Sequence, residues 1–299
     1  MAVIGPTAAG KTALGIALAR ALGGEVVNAD SMQLYRGMDI GTAKVTEEEA
    51  DGVTHHVLDI WDVTEPASVA EYQLLARAAI DGLLAAGKRP ILVGGSGLYV
   101  RAVLDDFVFP GTDPAVRARL EAELTELGPA ELHDRLPEPV RDKILPSNGR
   151  RIVRALEVIE LTGEFTAQLP AEPVSHYPAL QLGVDREPEL LDRLVATRVD
   201  RMFVAGLVNE VRQLETLGLR DGLTAGRALG YAQVLDFLAG ECEESDARES
   251  TVSATRRFVR RQRSWFRRDQ RVRWLSGPDL LTEAMALIDN PISPASTHL

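Results

Sequence analysis

The chain contains a single cysteine, Cys242. With no intrachain partner it excludes a disulfide framework and a cysteine zinc site, and it fits a reducing compartment, so a cytoplasmic protein is expected. Long apolar runs are missing too: none approaches the roughly 20 residues that a bilayer-spanning helix needs. Met1 leads straight into Ala2-Val3-Ile4 and a glycine loop, with no basic region ahead of an apolar stretch, so neither membrane association nor a signal peptide is expected. Basic residues are in deficit, 33 Lys and Arg against 44 Asp and Glu, for a net charge of −11. Such a balance argues at first against a nucleic-acid partner. The average conceals a local excess, because residues 254–273 hold nine arginines and one acid, Asp269, a charge of +8 that leaves −19 on the rest. Either this segment meets an anionic partner, or it is a solvated helix face whose arginines pair with nearby acids.

The 299 residues, 45% hydrophobic and 26% charged, suffice for one large or two modest domains with a real core. No internal repeat or low-complexity segment is evident. Through the first hundred residues, short apolar runs ending in Gly, Asp or Ser alternate with helical stretches, the rhythm of a parallel α/β sheet. Strands are expected at 2–4, 25–28 and 91–93. Helices are expected at 11–22, where Leu14, Leu18, Ala21 and Leu22 share a stripe, and at 68–86. After Pro110-Gly111 no strand pattern is found up to residue 161, and helices are expected at 114–127, 130–136 and 150–161. A strand at 180–184 returns to the sheet, followed by helices at 188–217, 232–238 and 249–268 and a last strand at 272–275. The expected division is a core of 1–112 and 180–299 with a helical insertion at 113–179.

Gly5-Pro6-Thr7-Ala8-Ala9-Gly10-Lys11-Thr12 matches G-x-x-x-x-G-K-[ST] and stands where that motif works, after an apolar strand and at the opening of a helix. Backbone N–H groups of such a loop converge on phosphate oxygens, and the helix N-terminus adds a favourable field. Lys11 reaches the terminal phosphates, and the Thr12 hydroxyl can hold Mg²⁺. The motif implies binding of a polyphosphate, ATP by precedent of the motif, without saying which. The fold class is therefore α/β, a P-loop NTPase-like parallel sheet core with an all-helical insertion domain. Asp30 ends the second apolar run, at the carboxyl end of a strand and so in the same crevice as the loop. It could be a magnesium ligand, a general base, or a cap for the following segment.

In 188–204, Leu190, Leu194, Arg198 and Met202 form one i,i+4 row flanked by Leu191, Val195, Val199 and Phe203. Arg198 thus interrupts an inward face and needs an anion, either a core carboxylate or a ligand. His55 and His56 are adjacent on an extended segment, point to opposite faces and cannot chelate one ion together, so they read as structural.

Around the aspartate runs Asp30-Ser31-Met32-Gln33-Leu34-Tyr35-Arg36-Gly37-Met38-Asp39-Ile40-Gly41-Thr42-Ala43-Lys44, followed by Thr54-His55-His56-Val57-Leu58-Asp59-Ile60. With the glycine loop before it, and with Val93-Gly94-Gly95-Ser96-Gly97-Leu98-Tyr99, the 151–158 stretch, Gly230-Tyr231-Ala232-Gln233 and Arg261-Gln262-Arg263-Ser264-Trp265-Phe266-Arg267 after it, the chain closely resembles the tRNA dimethylallyltransferase (tRNA isopentenyltransferase) family over nearly its whole length. Two departures stand out: Gly97 follows Ser96 where a bulkier residue is common, and Ala232 stands where a basic one is frequent.

The resemblance implies transfer of a dimethylallyl group from dimethylallyl diphosphate to the exocyclic amine of the adenosine 3′-adjacent to the anticodon, with Mg²⁺; nothing in the sequence suggests obligate assembly, and the small basic surface suits a monomer gripping one tRNA. On that reading Gly5, Pro6, Thr7, Ala8, Ala9, Gly10, Lys11, Thr12 and Arg198 hold the diphosphate, with Thr12 also on Mg²⁺. Asp30 accepts the proton of the amine, whose lone pair is delocalised into the ring. Thr7, Lys11 and Arg198 stabilise the departing charge. The target base must be flipped out of its stack. Contacts to the tRNA anticodon stem-loop fall on Asp30, Ser31, Met32, Gln33, Ser96, Arg117, Arg150, Arg151, Arg154, Arg227, Gly230, Tyr231, Gln233, Arg261 and Arg263, and the helical insertion grips the anticodon stem. Three other readings compete: prenylation of a free adenine nucleotide, a P-loop small-molecule kinase with Asp30 as base, and a non-catalytic tRNA-binding protein.

Overall fold

The computed structural model describes residues 1–165 and 174–289. They divide into two units, Met1–Leu104 with Ser175–Leu299, and Asp105–Val174; the sequence pattern had drawn the division at 112/113 and 179/180.

The first unit opens with β1 (Ala2–Ile4), α1 (Lys11–Leu22), β2 (Gly24–Asn28), α2 (Glu47–Ala50), β3 (His55–His56), α3 (Val69–Ala85), β4 (Arg89–Gly94) and α4 (Gly97–Leu104). The second unit holds α5 (Pro114–Leu127), α6 (Pro129–Asp134), α7 (Glu138–Arg141) and α8 (Gly149–Thr162). The chain then completes the first unit with β5 (Gln181–Val184), α9 (Pro188–Val204), α10 (Leu207–Thr216), α11 (Tyr231–Leu238), α12 (Glu244–Phe266), β6 (Val272–Leu275) and α13 (Leu280–Asp289).

All six strands are parallel, in the order β3-β2-β4-β1-β5-β6, which is the P-loop NTPase-like architecture. Apolar residues are buried on both faces, as a parallel sheet covered by helices requires. One face packs Val27, Leu92, Tyr72, Val103, Phe203 and Phe266 together. The other packs Val3, Val26, Leu14, Leu18, Leu182 and Val195. Because β1 lies between β4 and β5, the segments leaving the carboxyl ends of β1, β2, β4 and β5 rise side by side, and open α/β sheets bind ligands above that edge. Among the described residues no helix is long and apolar enough to cross a membrane.

Three departures from the expected elements have physical causes. The helix expected over 188–217 is two helices, broken at Gly206, whose φ of 104° lies in the left-handed region that a helix cannot continue through. α12 begins at Glu244 because Glu243 and Asp246 cap it, with the Glu243 N–H donating to the Asp246 carboxylate at 3.2 Å. On α9 the buried row is Leu191, Val195, Val199, Met202 and Phe203, whereas Leu190 and Leu194 are exposed. Arg198 therefore stands at the border of the buried stripe, not in its middle.

The helical unit has its own apolar core of Leu120, Leu132, Leu136, Val140, Ile144, Ile152 and Val153. Among its buried carboxylates, Glu157 on α8 is fully covered. Burial pushes this carboxyl up, but hydrogen bonds from Arg117, Thr112 and Arg154 outweigh that and hold it at about 2. Arg154 donates to Glu157 at 2.7 Å and to the carbonyl of Pro110 at 2.7 Å. Arg117 and Arg154, expected as tRNA contacts, both pair with this internal carboxylate, as the cost of leaving Glu157 unpaired requires, with 31% and 29% of their side chains still exposed.

Glu157→Gln should destabilise this unit by about 2–3 kcal/mol, read as faster hydrogen exchange across Gly149–Thr162. In the wild type the contribution is present above the ordinary carboxylate range and is lost as pH falls towards about 2; a unit whose exchange is indifferent to both changes would refute the assignment.

Candidate active site

The glycine loop follows β1 and ends at the first residue of α1. Its curl is visible in two backbone angles: Ala8 at φ 66° and Gly10, which precedes α1, at φ 104°. Gly10 has no side chain to cap α1, so the first N–H groups of that helix are left for a ligand. A cavity of about 500 Å³ opens there, walled by Thr7, Ala8, Gly10, Lys11 and Thr12 of the loop, by Asn28, Asp30, Gln33, Thr42 and Ala43, and by Arg198.

Lys11 and Arg198 carry the electrostatics. Burial lowers the Lys11 ammonium to about 8, with Asp30 opposing the shift and Arg198 adding to it. Burial likewise lowers Arg198, again opposed by Asp30. In place of an anion the two cations lean on carbonyls: Lys11 donates to Pro6 O at 2.7 Å and Arg198 to Thr42 O at 2.9 Å. Two desolvated cations beside one carboxylate make a site that favours a further anion.

Asp30 sits just past the end of β2. One carboxylate oxygen, Oδ1, accepts the Met32 N–H at 3.0 Å, and the other has no hydrogen-bond partner among the described residues. The loop after β4 closes over this segment: the Ser96 hydroxyl accepts the Ser31 N–H at 3.0 Å, and the Ser96 N–H donates to Ala29 O at 3.3 Å. Gln33 donates to Thr42 O at 3.2 Å, so Thr42 O receives both Gln33 and Arg198. His55 also lines the cavity; its Nδ1 bonds Val53 O at 2.9 Å, and burial lowers its pKa. His56 faces Glu25 instead.

Some expected contacts are placed elsewhere. Tyr231 is fully buried and donates its hydroxyl to Glu210 at 2.6 Å. Gly230 is buried, and the Gln233 Oε1 accepts the Gly230 N–H at 2.8 Å. Arg263 pairs with Asp185 at 2.9 Å. The Tyr231 hydroxyl, the Gly230 N–H and the Arg263 guanidinium thus engage partners within the fold. Arg227, Arg261, Arg150 and Arg151 are exposed, the last two in the helical unit.

Three residues with structural duties at the cavity went unsingled. Gln262 is buried and accepts the Thr7 N–H at 2.9 Å while donating to Gly95 O at 2.9 Å, tying α12 to the glycine loop. Its signal was available: Thr255, Val259, Gln262 and Phe266 form one buried row on α12, and an amide there must have polar partners. Glu210 on α10 accepts the N–H groups of Asp39, Ile40 and Gly41 at 3.1, 2.7 and 3.1 Å and so fixes the loop that carries Thr42. No sequence spacing announces that contact across 169–171 residues. Arg186 donates to Ala9 O at 3.3 Å. The unusual Gly97 also has a cause, since a Cβ there would lie 2.2 Å from the Trp265 ring.

The arginine segment divides. Arg263 and Arg267 share Asp185, Arg256 donates to the Asp192 carbonyl at 3.0 Å, and Arg271 pairs with Asp269. Arg257, Arg260, Arg261, Arg268 and Arg273 are exposed and have no ion-pair partner among the described residues.

Comparison with known proteins bears directly on this site. The family model described as IPP transferase matches residues 33–269. A tRNA dimethylallyltransferase of Salinispora arenicola is 66% identical over 294 residues, covering 96% of this chain and 86% of that protein. The crystal structure of a tRNA isopentenylpyrophosphate transferase from Bacillus halodurans is 39% identical, covers 96% of this chain and 94% of its own, and superposes with a TM-score of 0.72. That of a tRNA isopentenylpyrophosphate transferase from Staphylococcus epidermidis is 31% identical, with coverage of 96% and 98% and a TM-score of 0.71.

The lowered Lys11 predicts a pH signature. Affinity for inorganic diphosphate should weaken as pH rises through about 8, where the ammonium loses its proton, and that component should vanish in Lys11→Met. Titration calorimetry between pH 6.5 and 9 checks this, and identical pH profiles in the two proteins would refute it.

Proposed function

Because the chain belongs to the IPP transferase family, we propose that it moves a dimethylallyl group from dimethylallyl diphosphate onto the exocyclic amine of an adenosine, the one 3′-adjacent to the anticodon. Membership of the family makes the chain a tRNA-modifying prenyltransferase. The finer reading rests on one observation, the meeting of a phosphate loop, two desolvated cations and a carboxylate with one free oxygen in a single cavity.

The loop N–H groups, Lys11 and Arg198 bind the diphosphate. As the allylic carbon–oxygen bond breaks, its electron pair goes to the diphosphate, and fixed donors already aimed there stabilise the growing charge more than the ground state. The amine lone pair forms the new nitrogen–carbon bond, and Asp30 takes the proton that this nitrogen sheds. Magnesium fits the donor set: Thr12 offers a hydroxyl at the cavity wall, and no group of three or more His, Cys, Asp or Glu among the described residues forms a cage of its own, as suits an ion carried largely by phosphate oxygens. Bound there, it would supply positive charge to the leaving diphosphate. Arg198 thereby meets the second of its two possible partners, a ligand anion.

The acceptor is long and anionic, and the exposed arginines suit it. Arg257, Arg260 and Arg261 on α12, Arg227 on the same unit, and Arg150 and Arg151 on α8 are among the exposed side chains that can meet tRNA phosphates. The protein works as a monomer in this reading, one chain to one tRNA.

Incubation of an unmodified tRNA with the protein, dimethylallyl diphosphate and Mg²⁺ should add one dimethylallyl group to the adenosine beside the anticodon, read by mass spectrometry of nuclease fragments. Asp30→Asn should bind tRNA within twofold of wild type and lose about 10²–10⁴-fold in rate. Prenylation of AMP or ADP in place of tRNA would overturn the acceptor, and ATP turnover without prenylation would overturn the chemistry. Arg257→Gln/Arg260→Gln/Arg261→Gln should weaken tRNA binding and reduce the salt slope by about 2–3; an unchanged slope would mean that these arginines meet no phosphate.

A further inference from the structure

We propose that Asn28 is the positioning residue that sets the orientation of the Asp30 carboxylate, with the carbonyl of Val57 as its anchor. The proposal rests on Asp30 being the proton acceptor.

Asn28 is the last residue of β2 and is buried, 3% exposed. Its side-chain amide wraps the backbone of the residue two ahead: Oδ1 accepts the Asp30 N–H at 2.9 Å, and Nδ2 donates to Asp30 O at 3.1 Å. The second Nδ2 hydrogen goes to Val57 O at 3.1 Å. Both donors of the amide are therefore spent. Although Asn28 borders the cavity, it has no N–H left for a substrate, so its effect on the reaction must pass through Asp30. Its own carbonyl is held as well, by the Tyr72 hydroxyl at 2.8 Å, which leaves the amide on a rigid base.

Val57 shows how strongly this bond is enforced. It is β-branched and has φ 61°, in the left-handed region that such a side chain avoids. Asp59, two residues on, is also left-handed at φ 54°. The turn these two residues make delivers Val57 O to Asn28 and returns the chain to pair with the following loop, where the Ile60 N–H donates to Leu34 O at 2.8 Å. Strain of this kind persists where the surroundings over-determine a position, and such positions gather at active sites. The fixed peptide then presents the carboxylate so that Oδ1 is occupied by the Met32 N–H and Oδ2 is the oxygen left for the proton. Without the amide, the peptide at Asp30 loses both of its side-chain partners, and the carboxylate can rotate out of line with the attacking amine.

An aspartate at 28 would set a carboxylate against two carbonyl oxygens, and an alanine would leave two carbonyls and one N–H unpaired. A serine keeps an acceptor for the Asp30 N–H and one donor. The test uses the full chain with tRNA and dimethylallyl diphosphate, and compares Asn28→Ala, Asn28→Ser, Asp30→Asn and the double variant Asn28→Ala/Asp30→Asn. Asn28→Ala should lower kcat about 10–100-fold with KM for both substrates and the Kd for inorganic diphosphate within twofold, and Asn28→Ser should recover part of that loss. The double variant should be no slower than Asp30→Asn alone, because a residue acting through Asp30 has nothing left to position.

Losses that multiply in the double variant, or a kcat for Asn28→Ala within threefold of wild type, would overturn the proposal while leaving Asp30 as the base. A full rate in Asp30→Asn would remove the base and the proposal together, and that outcome is told apart by the single variant alone. If Asn28→Ala does not fold, Asn28→Ser decides: a wild-type kcat there, with Asp30→Asn inactive, refutes the role.

Discussion

Lys11 and Arg198 are held largely out of water beside a single carboxylate, Asp30, and an arrangement of that kind is costly until an anion arrives. The surrounding structure is built to bear it. Carbonyls of Pro6 and Thr42 take one hydrogen bond from each cation, and both carbonyls belong to segments fixed from elsewhere. The loop that bears Thr42 hangs from the carboxylate of Glu210 by three N–H groups. The glycine loop is tied at Thr7 to Gln262. Neither tether consumes a donor that the cavity needs except the Thr7 N–H, so the field inside is set before any ligand binds, which is the condition for stabilising a charge that develops only during reaction.

The topology explains why so few residues suffice. A parallel sheet brings the carboxyl ends of β1, β2 and β4 to one edge, and each contributes a different group there: N–H and ammonium donors after β1, the Asp30 carboxylate after β2, and the Ser96 clasp after β4. The Asp30 carboxylate and the loop donors follow β2 and β1, the two strands that flank β4 in one sheet, and their spacing is inherited from strand pairing. Arg198 comes from α9, whose buried row of Leu191, Val195 and Val199 locks its rotation. A helix so registered can hold one polar side chain at its border facing the cavity without exposing the core.

Much of this was legible in the residues. The glycine loop, the helix that follows it, Asp30 at a strand end and the last strand all follow from period and punctuation, because each is specified by neighbours within about a turn or a strand. The cavity walls contributed by Lys11, Thr12, Asp30 and Arg198 were legible for the same reason. What escaped is long-range: Glu210 reaching Asp39–Gly41, Gln262 reaching Thr7, and Glu157 reaching Arg117. A motif match carries residue identity but not the direction of a side chain, and Tyr231 and Arg263 show the consequence. Both belong to ordered motifs, yet one is buried on Glu210 and the other neutralised by Asp185. The break at Gly206 was readable in principle, since a glycine in a long helical pattern is a boundary signal, but the apolar rhythm continues across it and hid the break.

The arginine segment carries the same lesson about charge. A local excess of +8 is not an electrostatic footprint of +8, because Asp185 and Asp269 neutralise arginines within the fold, and Arg256 is turned onto α9. Part of the segment pairs with acids of the fold, and Arg257, Arg260, Arg261, Arg268 and Arg273 stay exposed without an ion-pair partner among the described residues. Gln262, in the buried row of α12, ties the helix to the glycine loop, Arg263 and Arg267 fasten it to Asp185, and Arg257, Arg260 and Arg261 are exposed. The rest of the chain carries −19, so a modest number of free arginines can bias where a polyanion lands without making the whole protein adhere to it.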